Sequence, residues 1–139
     1  MQTASAPRRR VGGTLAARAL AVFLAFHGVA HFAGTGGSLK LVDGGHADVL
    51  GGSAQLAGAA ALTTLAIAWA VIGAAYLVVA VLVWIGHPMA RAALIGVTAV
   101  SLALSVLQLP LAVVGVVIDV ALLLGAWLIP GRLGLRQGG

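Results

Sequence analysis

The chain has no cysteine, so disulfides, thiolate metal ligands and thiol redox chemistry are excluded within it. It has little charge: 8% of its 139 residues are Asp, Glu, Lys or Arg, and only 3 are acidic. A soluble domain carries about 25% charged residues. So little charge cannot cover the surface of a water-soluble fold. The net charge of +5 does not point to nucleic acid either. The basic residues are few, lack interleaved aromatic residues and form no stripe.

Hydrophobic residues are abundant instead, at 61%. They fall in runs of the length that crosses a bilayer, roughly 20 residues. Four spans are predicted, over about 14–33, 54–85, 89–109 and 111–129, in a domain covering residues 14–130. The second run is longer than a bilayer needs, so it should tilt, kink or project from the membrane. Pro88, Pro110 and Pro130 each fall at a predicted span end, where a missing N–H costs least. The connections "WIGHPMAR" and "LQLPLA" are short, so spans two, three and four run antiparallel to their neighbours. Residues 1–13 read as a disordered basic cytoplasmic tail and 131–139 as a second cytoplasmic tail. Residues 34–53 read as a Gly-rich outer loop.

The arginines set the expected orientation. With four spans, Arg8, Arg9, Arg10, Arg18, Arg91, Arg132 and Arg136 all fall on one side and Lys40 on the other. The positive-inside rule makes the arginine side, and both termini, cytoplasmic. The expected fold class is therefore all-α: an integral membrane four-helix bundle with N- and C-termini in the cytoplasm.

Each span carries one face of small or polar residues, the kind that packs helices together in lipid. Span one offers Ala16, Leu20, Leu24, His27 and His31. Span two offers Ala66, Trp69, Gly73, Tyr76 and Ala80, and span three Thr98, Ser101, Ser105 and Gln108. Span four offers Ala112, Gly115, Asp119 and Ala126.

Asp119 stands apart, because it lies near the middle of span four. An ionised carboxylate at that depth costs about 2.5–3.5 kcal/mol on the insertion scale. It should be neutral or paired with a cation, and His27, Tyr76 and Ser101 are its nearest candidate partners. A His27–Asp119 pair is geometrically allowed, because the two residues reach comparable depth on oppositely directed helices.

In "FHGVAHFAG", residues 26–34, His27 and His31 are four apart and project from one helical face. That spacing can hold one metal ion between two imidazoles. It also suits two histidines hydrogen-bonded inside a bundle, and both uses stay open. It cannot sandwich a haem, whose axial ligands approach from opposite sides. Asp43, His46 and Asp48 in "VDGGHADV" are metal-compatible types too, in a context that equally makes a solvated turn.

The stretch "RALAVFLAFHGVAHFAGTGG" resembles the opening of the DoxX-like membrane proteins. Those begin with an Arg-led apolar helix, a His-Gly pair, a basic residue three after that glycine and a Gly-rich exit. Arg18, His27, Gly28, His31 and the glycines 34, 36 and 37 occupy those places, with His31 where the family usually has lysine. "SLALSVLQLPLAVVGVVIDVALLLGAWL" resembles the last two helices of small four-span bacterial membrane proteins. The resemblance implies a multi-pass protein of the bacterial plasma membrane, associated with quinone-linked or oxidative-stress redox complexes. Any thiol chemistry there would belong to a partner.

The functional expectation is a non-catalytic accessory or anchor subunit of a membrane redox assembly. It would bind a quinone or a metal ion between helices. His27, His31, Asp119, Tyr76 and Gln108 form the candidate cofactor set, with His27 and His31 as metal ligands. Expected partners are the bilayer and a membrane or redox protein, or further copies of the chain, and no nucleic acid. The alternative is a small proton-linked transporter acting as a homo-oligomer, with Asp119 as its protonatable site. A stand-alone enzyme ranks last, because the interior supplies few polar side chains.

Overall fold

The computed structural model describes residues 15–109 and 111–128. In chain order these form α1 (Leu15–Gly44), β1 (His46–Val49), β2 (Ala54–Ala57), α2 (Ala59–Trp84), α3 (Ala90–Leu107) and α4 (Val113–Leu128). The expected helical bundle is present, joined by a small antiparallel hairpin. Both tails, Pro110, Pro130, Arg8 to Arg10, Arg132 and Arg136 lie outside the described residues.

The segment expected as an irregular loop, 34–53, is the main correction. The first helix continues through "GTGGSLKLVDG" to Gly44. Gly34, Gly36 and Gly37, inside the helix, each cost about 1 kcal/mol of helix propensity relative to alanine. Tertiary packing overrides that cost: Gly34 lies against the Trp69 ring, and Ser38 is buried. No proline interrupts the run. The helix stops at Gly45, whose φ of 79° lets its N–H reach the Leu41 carbonyl at 3.0 Å.

The rest of the loop is the hairpin, with His46 opposite Ala57 and Val49 opposite Ala54. Ala47 and Val49 face inward and are buried, while His46 and Asp48 face outward. The Gly51 N–H donates to the Leu109 carbonyl at 2.9 Å, which ties the hairpin turn to the end of α3.

The long second run also resolves differently from expectation. Ala54–Ala57 forms β2, and Gly58, at φ 90°, separates it from α2. The helix that remains has 26 residues, about 39 Å, shorter than the predicted run but still longer than the ~20 residues a bilayer core needs. It closes with a Schellman turn. Gly86 donates to Val83 O at 3.1 Å and His87 to Leu82 O at 2.8 Å, just before Pro88.

Helices α1, α2 and α3 are long and apolar enough to cross a membrane, whereas α4 has 16 residues and measures about 24 Å. Leu24, Leu62, Tyr76, Val79 and Leu94 fill the core. Phe26, Val71, Val78, Val114, Val117 and Trp127 point outward and are exposed. Helices apolar on the outer face as well as the inner are the pattern of a bundle surrounded by hydrocarbon.

The helices alternate in direction, so the start of α1, the end of α2, the start of α3 and the end of α4 share one end. There Arg18 lies 5.7 Å from the Trp84 ring centroid, and the Arg91 Nε–H donates to the Ala126 carbonyl at 3.2 Å. The hairpin and Lys40 occupy the other end.

The helix contacts are uneven. Helix α1 packs extensively on α2, α2 on α3, and α3 on α4, but α1 and α4 barely meet along their backbones. The α1/α2 crossing is close because both helices carry glycine there. A Cβ on Gly28 would lie 2.8 Å from the Gly73 carbonyl oxygen, and one on Gly73 would lie 2.8 Å from that of Gly28.

Candidate functional site

The polar faces of all four helices meet at Asp119, which is 0% exposed. Its Oδ1 accepts from the Tyr76 hydroxyl at 2.9 Å and lies 3.1 Å from His27 Nε2. Its Oδ2 accepts from Ser101 Oγ at 2.7 Å and more weakly from Ser105 Oγ at 3.5 Å. A carboxylate offers roughly four lone-pair directions. Donors from α1, α2 and α3 take all of them. The buried carboxylate is thus partnered from three helices, as a buried polar group requires.

The local sequence places each donor. His27 and His31 are one turn apart on α1, and Ser101 and Ser105 one turn apart on α3. Tyr76 lies two turns after Trp69 on α2. The aromatic rings pack against one another. The His31 ring stacks on Tyr76 at 5.3 Å between centroids, and the His27 ring meets Tyr76 edge-on at 4.7 Å.

The hydrogen-bond network fixes the direction of the remaining bond. Ser101 has one hydroxyl proton and gives it to Asp119. In its 3.2 Å contact with His31 Nε2, Ser101 must therefore accept, and Nε2 carries the proton. A directed chain results: His31 to Ser101 to Asp119. His31 Nδ1 is then left as an acceptor with no protein partner among the described residues.

Four of the five expected cofactor residues thus converge, and Gln108 lies apart from Asp119 at the C-cap of α3. Its side-chain carbonyl accepts from the Trp69 indole N–H in a short bond. Its amide nitrogen donates to no protein group among the described residues.

The open side of this cluster is the α1/α4 seam. A cavity of about 470 Å³ lies there, with His27, His31, Ser38, Trp69, Gln108 and Ala112 on its walls. Ser38 is 2% exposed, and its hydroxyl has no hydrogen-bond partner among the described residues. Beyond Ile118 the seam opens again into a cavity of about 290 Å³, bordered by Leu20, Phe23, Leu94, Val117 and Leu122. Among the described residues, no hydrogen-bonding side chain lines it. A third cavity of about 320 Å³ lies beneath the hairpin, between His46 and Asp48 on one side and Gln108 on the other. It shares Leu41, Gln108 and Leu111 with the first.

His27, His31 and Asp119 are also the one group of three metal-compatible ligands among the described residues, with one atom of each within 4.8 Å of the others. Helix α4 supplies the carboxylate that the H-x-x-x-H spacing lacks. Zinc–nitrogen bonds of roughly 2.0–2.1 Å would need both Nε2 atoms deprotonated and turned to one point. Asp119 would have to release at least one of its present donors. The cluster is complete as a hydrogen-bonded unit and becomes a metal site only by rearranging.

The loop candidates do not join it. Asp48 accepts from the Gln55 amide at 2.9 Å, His46 Nδ1 contacts Gly44 O at 3.2 Å, and Asp43 ends α1.

Ser38 is the site residue that sequence reasoning missed, since it was assigned to a loop. A signal was present. His27, His31, Gly34, Ser38 and Leu41 recur at steps of four and three, one continuous helical face. No protein-family model, no curated protein and no solved structure matches this chain, so its functional reading stands on this geometry.

Proposed function

We propose that the chain crosses the bacterial plasma membrane four times and serves as an accessory or anchor subunit of a redox assembly. In this reading it holds the headgroup of a quinone-type lipid in the α1/α4 seam. The observation that carries the reading is the 470 Å³ cavity, apolar on most of its wall yet faced by unpartnered polar atoms. Small-molecule sites combine an apolar lining with a few placed polar groups in this way, in cavities of about 300–1,000 Å³.

A quinone carbonyl would accept from the Gln108 amide or the Ser38 hydroxyl. The hydroxyl of the reduced form would donate to His31 Nδ1. A proton arriving there would release the Nε2 proton to Ser101, and Ser101 would pass its own to Asp119. His27 and Asp119 hold charge and proton together behind the headgroup. The end bearing Arg18 and Arg91 faces the cytoplasm by the positive-inside rule. The DoxX-like resemblance of α1 agrees with that setting.

Trp69 borders the cavity and reports on it, once Trp84→Phe and Trp127→Phe remove the other tryptophans. Titration of this variant with a short-chain benzoquinone should quench the fluorescence saturably. Ala112→Leu, which fills the cavity, should abolish the saturable part. Linear quenching alone, unchanged by Ala112→Leu, would exclude the site.

The buried His27–Asp119 pair favours one second reading, proton-linked transport by a homo-oligomer. Substrate-dependent proton flux in liposomes, lost in Asp119→Asn, would select it.

A further inference from the structure

We propose that the buried His27–Asp119 pair exchanges protons with the hairpin side of the protein alone, through a doorway at Gln108, and is sealed from the arginine-bearing end. The inference deepens the reading above by giving its proton chemistry a direction. It stands on the difference between the two cavities that flank the pair.

Toward the hairpin, polar side chains border two adjoining cavities, with His31 and Ser38 two helical turns apart on α1. His46 and Asp48 border the 320 Å³ cavity under the hairpin. Gln108 belongs to the walls of that cavity and of the 470 Å³ cavity beyond it. The buried, unpartnered Ser38 hydroxyl and His31 follow, then Ser101 and Asp119. Both spaces exceed the volume of a water molecule, about 30 Å³. An unpartnered buried hydroxyl is the kind of group that such water satisfies.

Toward the other end, the 290 Å³ cavity offers Leu20, Phe23, Leu94, Val117 and Leu122 and, among the described residues, no hydrogen-bonding side chain. Such a lining offers water few of the roughly 2–4 polar partners it needs to be held. The Phe23 ring, which borders this cavity, lies parallel to His27 with centroids 6.1 Å apart.

The transfer balances. One proton from water at the doorway binds His31 Nδ1. The Nε2–H bond of His31 breaks as its proton passes to Ser101 Oγ, and the Ser101 proton passes to Asp119 Oδ2. His31 and Ser101 end as they began, apart from a change of imidazole tautomer. The groups facing the pair are His31 from α1, Tyr76 from α2, the neutral Ser101 and Ser105 from α3, and the titratable His46 and Asp48 of the hairpin at the far mouth. Among the described residues, no acidic or basic side chain faces it from the apolar cavity.

The absence of cysteine makes the test direct. Single variants Ser38→Cys, Gln108→Cys and Leu122→Cys are made in the full chain. Ser53→Cys marks the hairpin end and Met89→Cys the opposite end. Each is reconstituted in vesicles and exposed to a small, membrane-impermeant thiosulfonate, which reacts with accessible thiolate. Monodisperse elution and an unchanged melting temperature confirm that each variant folds.

The expected result is labelling of Ser38→Cys and Gln108→Cys at least about tenfold faster from the side that labels Ser53→Cys, with Leu122→Cys inert from both. Labelling of Ser38→Cys from the Met89→Cys side, or from neither side, overturns the proposal. So does labelling of Leu122→Cys from the Met89→Cys side. The outcome is independent of quinone binding: a protein that binds no quinone can still show the sided pattern, and one that binds it can fail to.

Discussion

The two sides of α1 are built by opposite rules. Against α2, the helix meets its neighbour backbone to backbone at Gly28 and Gly73, with no room for a methyl group. Against α4, it meets almost nothing but Asp119, and cavities lie on either side of that contact. The first seam maximises van der Waals contact, which drives helix association where lipid offers no hydrophobic gain. The second gives up that contact and substitutes one polar strut. A bundle that needed only to persist would have closed both seams. The contrast is between a tightly packed α1/α2 seam and an α1/α4 seam that keeps cavities, and the ligand site proposed above rests on the second.

The largest effect should come from breaking the strut. Asp119→Ala leaves His27, Tyr76, Ser101 and Ser105 without their shared acceptor. Loss of one member of a buried pair costs about 3–5 kcal/mol. Thermal unfolding in mild detergent should show that loss. Asp119→Asn keeps the shape and should recover part of the stability but none of the proton transfer.

The closed seam ranks next. In Gly73→Ala the new methyl meets the Gly28 carbonyl oxygen, which no side-chain rotation can move. Overpacking of this kind costs about 1–3 kcal/mol, again read as a lower melting temperature. Equal tolerance of alanine at Gly73 and at Gly36, which faces nothing within 4 Å, would erase the contrast between the seams.

The open seam should respond with the opposite sign. Ala112→Leu fills cavity space and should stabilise the empty protein by about 0.5–2 kcal/mol, while it removes quinone-dependent quenching of Trp69. The smallest effect is Ser38→Ala. Cavity water can satisfy this hydroxyl, so its removal should leave stability within about 0.5 kcal/mol, while headgroup affinity falls severalfold. A loss of stability beyond this in either variant would mean that the seam is packed after all.

Much of this arrangement is legible in the sequence, for reasons that can be named. Asp119 is conspicuous because a carboxylate in an apolar run must be compensated, and few side chains could do so. His27, Tyr76 and Ser101 followed from depth and helical spacing alone, and all three are its partners. The helix ends near Pro88 were equally readable, because proline and glycine act locally.

The segment from Gly34 to Gly58 was not. Its glycines lower helix propensity, and only the fit of Gly34 against Trp69 and the burial of Ser38, which propensity does not register, hold α1 in a helix to Gly44. The hairpin likewise depends on anchorage to Leu109, a contact far away in sequence. Spacing could show that the histidines share a face. It could not show which seam would stay open, because that depends on how four helices divide a limited set of small residues.

The most direct test is native mass spectrometry of the protein released gently from its own membrane, with Ala112→Leu beside it. The account predicts a wild-type population carrying one added mass that fragments to an isoprenoid quinone, and a variant that carries none. A wild-type protein free of any such mass after mild extraction, or the same adduct on both proteins, would contradict the assignment of the α1/α4 seam as a ligand site.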